Sequence, residues 1–258
     1  MVRHTPSALI LLELRLLLRL VRGKYTRKHN FMKPQLIDVH THMQFSAYEK
    51  DSAEVIKRAL DKNIWIVNVG TQRDTSAKAI QIANQYNEGV YATVGLHPIH
   101  TEASYHDKQE LGIEGNESKE FTSRGESFDF DLYKTIAKDK KVVAIGECGL
   151  DYYRGNQKSN IKNQKEKQKM VFLEQIKLAH EVKKPLMIHC RNAFADLISI
   201  LNSEFLIHNS SSSGIVHFFS GSLDDAKELL KLGFNFSFGG VITFTRDYDE
   251  VIKNIPID

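Results

Sequence analysis

The sequence predicts an α/β protein of the (β/α)8 TIM-barrel type, with strand eight missing from this chain. Three observations carry that prediction. Apolar, strand-like runs alternate strictly with helix-like runs from Leu36 onward. The strand runs are nearly continuous in Val, Ile and Leu, as in a parallel sheet covered by helices on its faces. Seven such β/α units fit into 258 residues, long for an ordinary domain and normal for one barrel. An open, doubly wound sheet is the competing architecture, but no Gly-x-Gly-x-x-Gly turn follows the first strand.

The units read in order as follows. Leu36–Met43 is the first strand and Ser52–Lys62 the helix that returns from it. Ile64–Gly70 and Ser76–Tyr86 repeat the pair, and Val90–Leu96 is the third strand. Residues 101–130 then break the rhythm. They are rich in Ser, Glu, Gly and Asp without helical spacing, and read as a rim lid or a surface insertion. Asp131–Lys138 restores the helical pattern. Val142–Cys148 with Asn163–Val182, and Pro185–Cys190 with Ala193–Leu201, are the fourth and fifth units. Ser210–Ser213 is a linker into Gly214–Phe219 and Leu223–Leu232. Phe234–Ile242 and Arg246–Asn254 form the seventh unit, and the chain stops at Asp258 about where an eighth strand would begin.

The barrel domain is expected over residues 34–258, with residues 1–33 as a non-domain extension. Ala8–Val21 is apolar but interrupted by Glu13, Arg15 and Arg19, short of the roughly 20 apolar residues a spanning helix needs. A start-site error is the favoured reading, with a basic amphipathic or transit-like segment as the alternative. Residues 1–33 carry eight Lys/Arg against Glu13, so the +3 of the whole chain leaves −4 for the rest. A global positive field therefore does not indicate nucleic acid here, and an anionic substrate would be held by local charge and metal. Cys148 and Cys190 make no disulfide framework, which fits a reduced, cytoplasmic protein. No stable membrane association and no obligate protein partner are expected.

Five ligand-type side chains close separate strand runs: His40 and His42, Glu147, His189 and His217. Barrel active sites lie at such C-terminal strand ends. His40 and His42 are two apart and share a strand face, as does Asp38. Glu147 follows Ala144-Ile145-Gly146, where a buried carboxylate needs a cation or a partner. Gly146 and Gly149 argue for close backbone approach or an unusual turn. Each histidine alone would read as a satisfied core residue; five at strand ends read as one site. Four His and one Glu suit Zn²⁺, Mn²⁺ or Fe²⁺ rather than Ca²⁺, and Mg²⁺ stays open where phosphate supplies oxygens.

Leu36-Ile-Asp-Val-His-Thr-His42, Thr93-Val-Gly-Leu-His-Pro98, Ala144-Ile-Gly-Glu-Cys-Gly-Leu-Asp-Tyr152, Met187-Ile-His-Cys-Arg191 and His217-Phe-Phe-Ser-Gly-Ser222 together resemble the ordered motifs of the TatD family. The resemblance implies a metal-dependent deoxyribonuclease of the 3′ to 5′ exonuclease type, acting on DNA, with RNA left open. It implies two divalent ions (Zn, Mn or Mg): His40 and His42 on the first, Glu147 bridging, His189 and His217 on the second. His97 and Arg191 would act catalytically and contact substrate phosphate, and Asp151 and Tyr152 would shape the same rim. Two metals activate water and clamp the oxygens around phosphorus, so no protein nucleophile is needed. The family also supplies an Asp from a Glu-Thr-Asp motif on strand eight, which this chain lacks; Asp258 is not assigned its role. Rival readings are another metal-dependent ester hydrolase, such as a D-aminoacyl-tRNA deacylase, or a catalytically impaired fragment. The lysines at 158, 162, 165, 167 and 169 read as a backbone-tracking run or a solvated helix face.

Overall fold

The computed structural model describes residues 34–106, 121–153, 161–208 and 213–256. The segment Ala8–Val21, Lys158, most of the Ser210–Ser213 run and Asp258 lie outside the described residues. In chain order the strands are β1 (Leu36–Thr41), β2 (Ile64–Val69), β3 (Val90–Val94), β4 (Ser104–His106), β5 (Phe121–Ser123), β6 (Val142–Asp151), β7 (Leu186–Arg191), β8 (Gly214–Val216) and β9 (Asn235–Phe236). The helices are α1 (Ser52–Asp61), α2 (Arg73–Ala83), α3 (Phe130–Ile136), α4 (Ile161–Val182), α5 (Phe194–His208), α6 (Leu223–Lys231) and α7 (Asp249–Asn254). Among the described residues none of these helices is long and apolar enough to cross a membrane.

Seven strands form one parallel sheet in the order β1-β2-β3-β6-β7-β8-β9, the curled half-barrel of a TIM-type fold. Its concave face buries Ile37, Val39, Val67, Val69, Met187 and Ile215 against one another. Its convex face packs on the helices, with Ile66 and Ala92 against Ile56 and Ala79 on one side. Ile145, Ile188 and Val216 pack against Phe172, Ile176 and Leu197 on the other. Burial on both faces is why the strands read as apolar runs rather than as alternation.

The element limits differ from expectation in two informative places. The seventh strand, expected over Phe234–Ile242, pairs only at Asn235–Phe236; Gly239 and Gly240 offer no side chain to pack, and Gly240–Thr243 winds into a 3₁₀ turn. The fourth strand runs on past Cys148 to Asp151, pairing Asp151 with Arg191 of β7. Within the 101–130 insertion, β4 and β5 form an antiparallel ribbon, and residues 107–120 lie outside the described residues. The returning side of the insertion is fastened to the barrel by Glu126. Its carboxylate accepts the Arg73 N–H at 3.2 Å and the hydroxyl of buried Tyr133 at 2.9 Å, and its own N–H donates to His100 O at 2.8 Å.

Two β-bulges aim the site. On β1, Asp38 pairs with Ile66 and Thr41 with Asn68, so three residues advance against two. Ile37 and Val39 face the interior below this bulge, and His40 and His42 face it above. The extra residue reverses the strand's parity. Asp38, expected on the face of the two histidines, is therefore exposed instead. On β6, Ile145 pairs with Leu186 and Cys148 with Ile188, and the extra residue falls at Gly146-Glu147. Ala144 and Glu147 consequently both face inward. Gly146 adopts φ +153°, and a Cβ there would stand 2.4 Å from Met187 O. On β7 and β8 no bulge is needed: Met187 and His189, and Ile215 and His217, are simply in phase.

Candidate active site

Glu147 is the centre. It is 4% exposed, and its N–H donates to Gly70 O at 2.8 Å. Its Oε1 lies 2.6 Å from His217 Nε2, 3.2 Å from His97 Nε2 and 3.3 Å from His189 Nδ1. Its Oε2 faces the other way, 3.4 Å from His40 Nε2. Burial pushes the carboxyl upward, but the imidazoles of His97, His217 and His40 outweigh it and hold Glu147 well below the usual carboxylate range.

The histidines are individually oriented. His42 Nδ1 lies 2.9 Å from Val69 O, a bond only its N–H can make, so Nε2 keeps its lone pair. That Nε2 sits 3.2 Å from His40 Nε2. Ring stacking fixes both planes: His42 lies on Phe45 at 4.4 Å and His40 on His217 at 3.8 Å between centroids. Burial, then the neighbouring His40, pushes His42 down to about 4 and His217 down to about 3. Both are neutral at pH 7, the form in which imidazole ligates metal. His189 is the opposite case. Burial lowers it, but hydrogen bonds to Asp151 and Glu147 prevail and raise it to about 9.

These residues fit a metal. Ligand atoms of His40, His42 and Glu147 lie within 4.8 Å of one another, and so do those of His97, Glu147 and His189. His40 Nδ1 is buried without a hydrogen-bond partner among the described residues. Two imidazole nitrogens confronting each other beside a buried carboxylate have no better common partner than a cation.

The four residues expected to meet substrate lie at different depths. His97 is 7% exposed and lies inside the cluster, against Glu147. Asp151 is also buried: Oδ2 lies 2.9 Å from His189 Nε2, and Oδ1 accepts the Tyr153 N–H at 3.0 Å. Tyr152 turns its hydroxyl to Asp196 at 2.7 Å, where Lys169 joins at 3.0 Å. Arg191 stands at the C-terminal end of β7, with its guanidinium 3.5 Å over the ring of Tyr153. Tyr153 is 47% exposed and went unremarked in the sequence, where nothing but its place after Asp151-Tyr152 signals it. Lys165 lies over the Tyr152 ring at 4.4 Å and Lys167 lies 4.0 Å from Glu102, so these lysines serve internal contacts. Both cysteines are buried and free, and burial pushes their thiols up, away from nucleophilic thiolate.

Known proteins resemble this chain in sequence and in fold. The family model for TatD related DNase matches residues 37–258. YabD of Bacillus subtilis, named as an uncharacterized metal-dependent hydrolase, is 36% identical over 226 residues, covering 86% of this chain and 76% of that protein. The crystal structure of YjjV, a TatD homologue from Escherichia coli, superposes with a TM-score of 0.64 at 28% identity, over 85% of this chain and 74% of YjjV. A TatD family hydrolase from Entamoeba histolytica gives a TM-score of 0.64 at 26% identity, over 85% and 70% of the two chains. With a family match spanning nearly all of the described barrel, the chain belongs to the TatD-related DNase family of metal-dependent hydrolases.

Proposed function

We propose that this hydrolase cleaves phosphodiester bonds of nucleic acid, DNA in the first instance, as a 3′ to 5′ exonuclease using two divalent ions, Zn, Mn or Mg. One observation carries the reading: the two oxygens of Glu147 face separate imidazole groups, Oε2 toward His40 and Oε1 toward His189 and His217. A carboxylate so placed suits a bridging ligand, with His40 and His42 on one side and His189 and His217 on the other. When bound, such ions supply Lewis acidity and a water acidic enough to attack phosphorus near neutral pH. The protein's part is to present neutral His42 and His217, to keep Glu147 ionised, and to align the scissile phosphate. Arg191 suits that last task. Stacked on Tyr153, its planar guanidinium is held at the C-terminal end of β7, two residues beyond His189, with bidentate geometry for phosphate oxygens.

The test is cleavage of 5′-labelled and 3′-labelled DNA oligonucleotides by the purified chain with Mn²⁺, Mg²⁺ or Zn²⁺, against chelator and Glu147→Gln controls. Metal-dependent loss of 3′ nucleotides, abolished by Glu147→Gln, supports the reading. Undiminished cleavage by Glu147→Gln would sink the bridging role, and inertness toward every oligonucleotide would sink the nuclease assignment.

A further inference from the structure

We propose that His97 is a positioning residue for Glu147: its tautomer is fixed by the backbone, and it donates Nε2–H to Glu147 Oε1 instead of ligating metal. The inference rests on the metal-hydrolase reading of the site and assigns one side chain within it.

Proximity alone points elsewhere. His97, Glu147 and His189 bring their ligand atoms within 4.8 Å of one another, which would count His97 as a ligand. The backbone argues otherwise. His97 caps the 3₁₀ turn Pro98–Thr101, and its Nδ1 accepts the N–H of Ile99 at 3.2 Å. Pro98, between them, has no N–H to offer. A ring nitrogen that accepts a hydrogen bond carries a lone pair, so the imidazole proton sits on Nε2. That Nε2–H meets Glu147 Oε1 at 3.2 Å. For Nε2 to bind a metal, the cap on the 3₁₀ turn would have to break.

The mounting supports the same assignment. His97 N–H donates to Thr71 O at 2.9 Å and Glu147 N–H donates to Gly70 O at 2.8 Å, so the two residues hang from consecutive carbonyls of the turn after β2. Leu96, just before His97, is held on both sides by Gln175, whose Oε1 accepts its N–H at 2.9 Å and whose Nε2 donates to its carbonyl at 3.0 Å. Gly95 lets this strand end close on β6; a Cβ there would stand 2.8 Å from Gly146. The donor and its acceptor are thus referenced to one rigid frame. A partner of this kind fixes the direction of the carboxylate and leaves it able to offer both oxygens to cations.

Long-range ¹H–¹⁵N correlation of the histidine rings in the full chain, with chelator and then with Zn²⁺, reads the assignment directly. The expected spectrum shows a protonated Nε2 and a bare Nδ1 for His97, unchanged by Zn²⁺ while His40, His42, His189 and His217 shift. A proton on Nδ1, or loss of the Nε2 proton on adding Zn²⁺, would overturn the inference and leave the metal centre standing. Zn²⁺ that perturbs none of the four rings would overturn the metal-hydrolase reading, and the inference with it. Calorimetric Zn²⁺ titration gives the second readout. His97→Leu should weaken affinity about 10- to 100-fold at unchanged stoichiometry, and His97→Gln, which keeps a donor, should recover most of it. A fall in stoichiometry in His97→Gln would mark His97 as a ligand and overturn the proposal.

Discussion

Asp151 holds His189 from behind, with Oδ2 2.9 Å from Nε2, so that Nδ1 is the nitrogen turned toward Glu147. The carboxylate is itself anchored by the Tyr153 N–H, and its backbone is gripped by Gln168, whose Oε1 accepts the Asp151 N–H at 2.9 Å and whose Nε2 donates to its carbonyl at 3.0 Å. Carboxylate–histidine pairs of this kind orient the ring and raise its basicity. Asp151→Asn should therefore lower metal affinity about 10- to 100-fold without unfolding the chain, as read by calorimetric titration with Zn²⁺ or Mn²⁺. Unchanged affinity would show that His189 is not a ligand through Nδ1.

Metal uptake should release protons and strengthen with pH. His189, raised to about 9, carries a proton on each nitrogen at neutral pH, and a metal must displace the one on Nδ1. Apparent affinity should climb from pH 6.5 to about 9 and then level off. In the chelated protein the sign is reversed. A histidine with a raised folded pKa stabilises the fold fully below its unfolded value near 6.5, and that contribution fades as pH rises through about 9. Thermal melts with chelator across that range check it.

Lys184 offers a stability prediction independent of the site. It is 6% exposed, and its ammonium donates to the carbonyls of Ala137, Asp139 and Val142, closing the C-terminal end of α3 onto the start of β6. Lys184→Met keeps the stem but removes the shared donor from these carbonyls, of which Asp139 O keeps the Val142 N–H at 3.1 Å, at a cost of about 1–3 kcal/mol. Denaturant melts should show the loss, with metal affinity unaltered.

Tyr133→Phe tests the tether of the insertion. The change removes a buried hydroxyl bonded to Glu126 at 2.9 Å while the Arg73 N–H remains on the same carboxylate. A bond to a charged acceptor of this kind contributes about 1.5–3 kcal/mol. Faster proteolysis near residues 124–130 should accompany the loss; an unchanged digestion pattern would argue that Glu126 holds the segment through Arg73 and His100 without Tyr133.

The barrel class was legible because both faces of the sheet are buried, so its strands stand out as apolar runs. His189 and His217 were legible for the same reason: they follow Met187 and Ile215 in unbroken alternation. His40, His42 and Glu147 were found by their position at strand ends, but their aim was not predictable from strand periodicity. The parity argument that joined Asp38 to His40 fails at the β1 bulge, which no residue type announces. The β6 bulge left a trace in Gly146. Asp151 and Tyr152 were read with β6 ending at Cys148; three more paired residues carry Asp151 to His189, and Tyr152 turns to Asp196 on α5.

The two bulges set regularity against chemistry. Pairing β1 with β2 residue for residue beyond Asp38 would give an unbroken ladder, and so would pairing β6 with β7 residue for residue beyond Ile145. Each repaired strand would turn its ligands out of the barrel and onto the helical layer. A screen that rewarded thermal stability alone would thus favour the smoother chain and discard the site, and the irregular positions are where a family resemblance can survive while the activity does not.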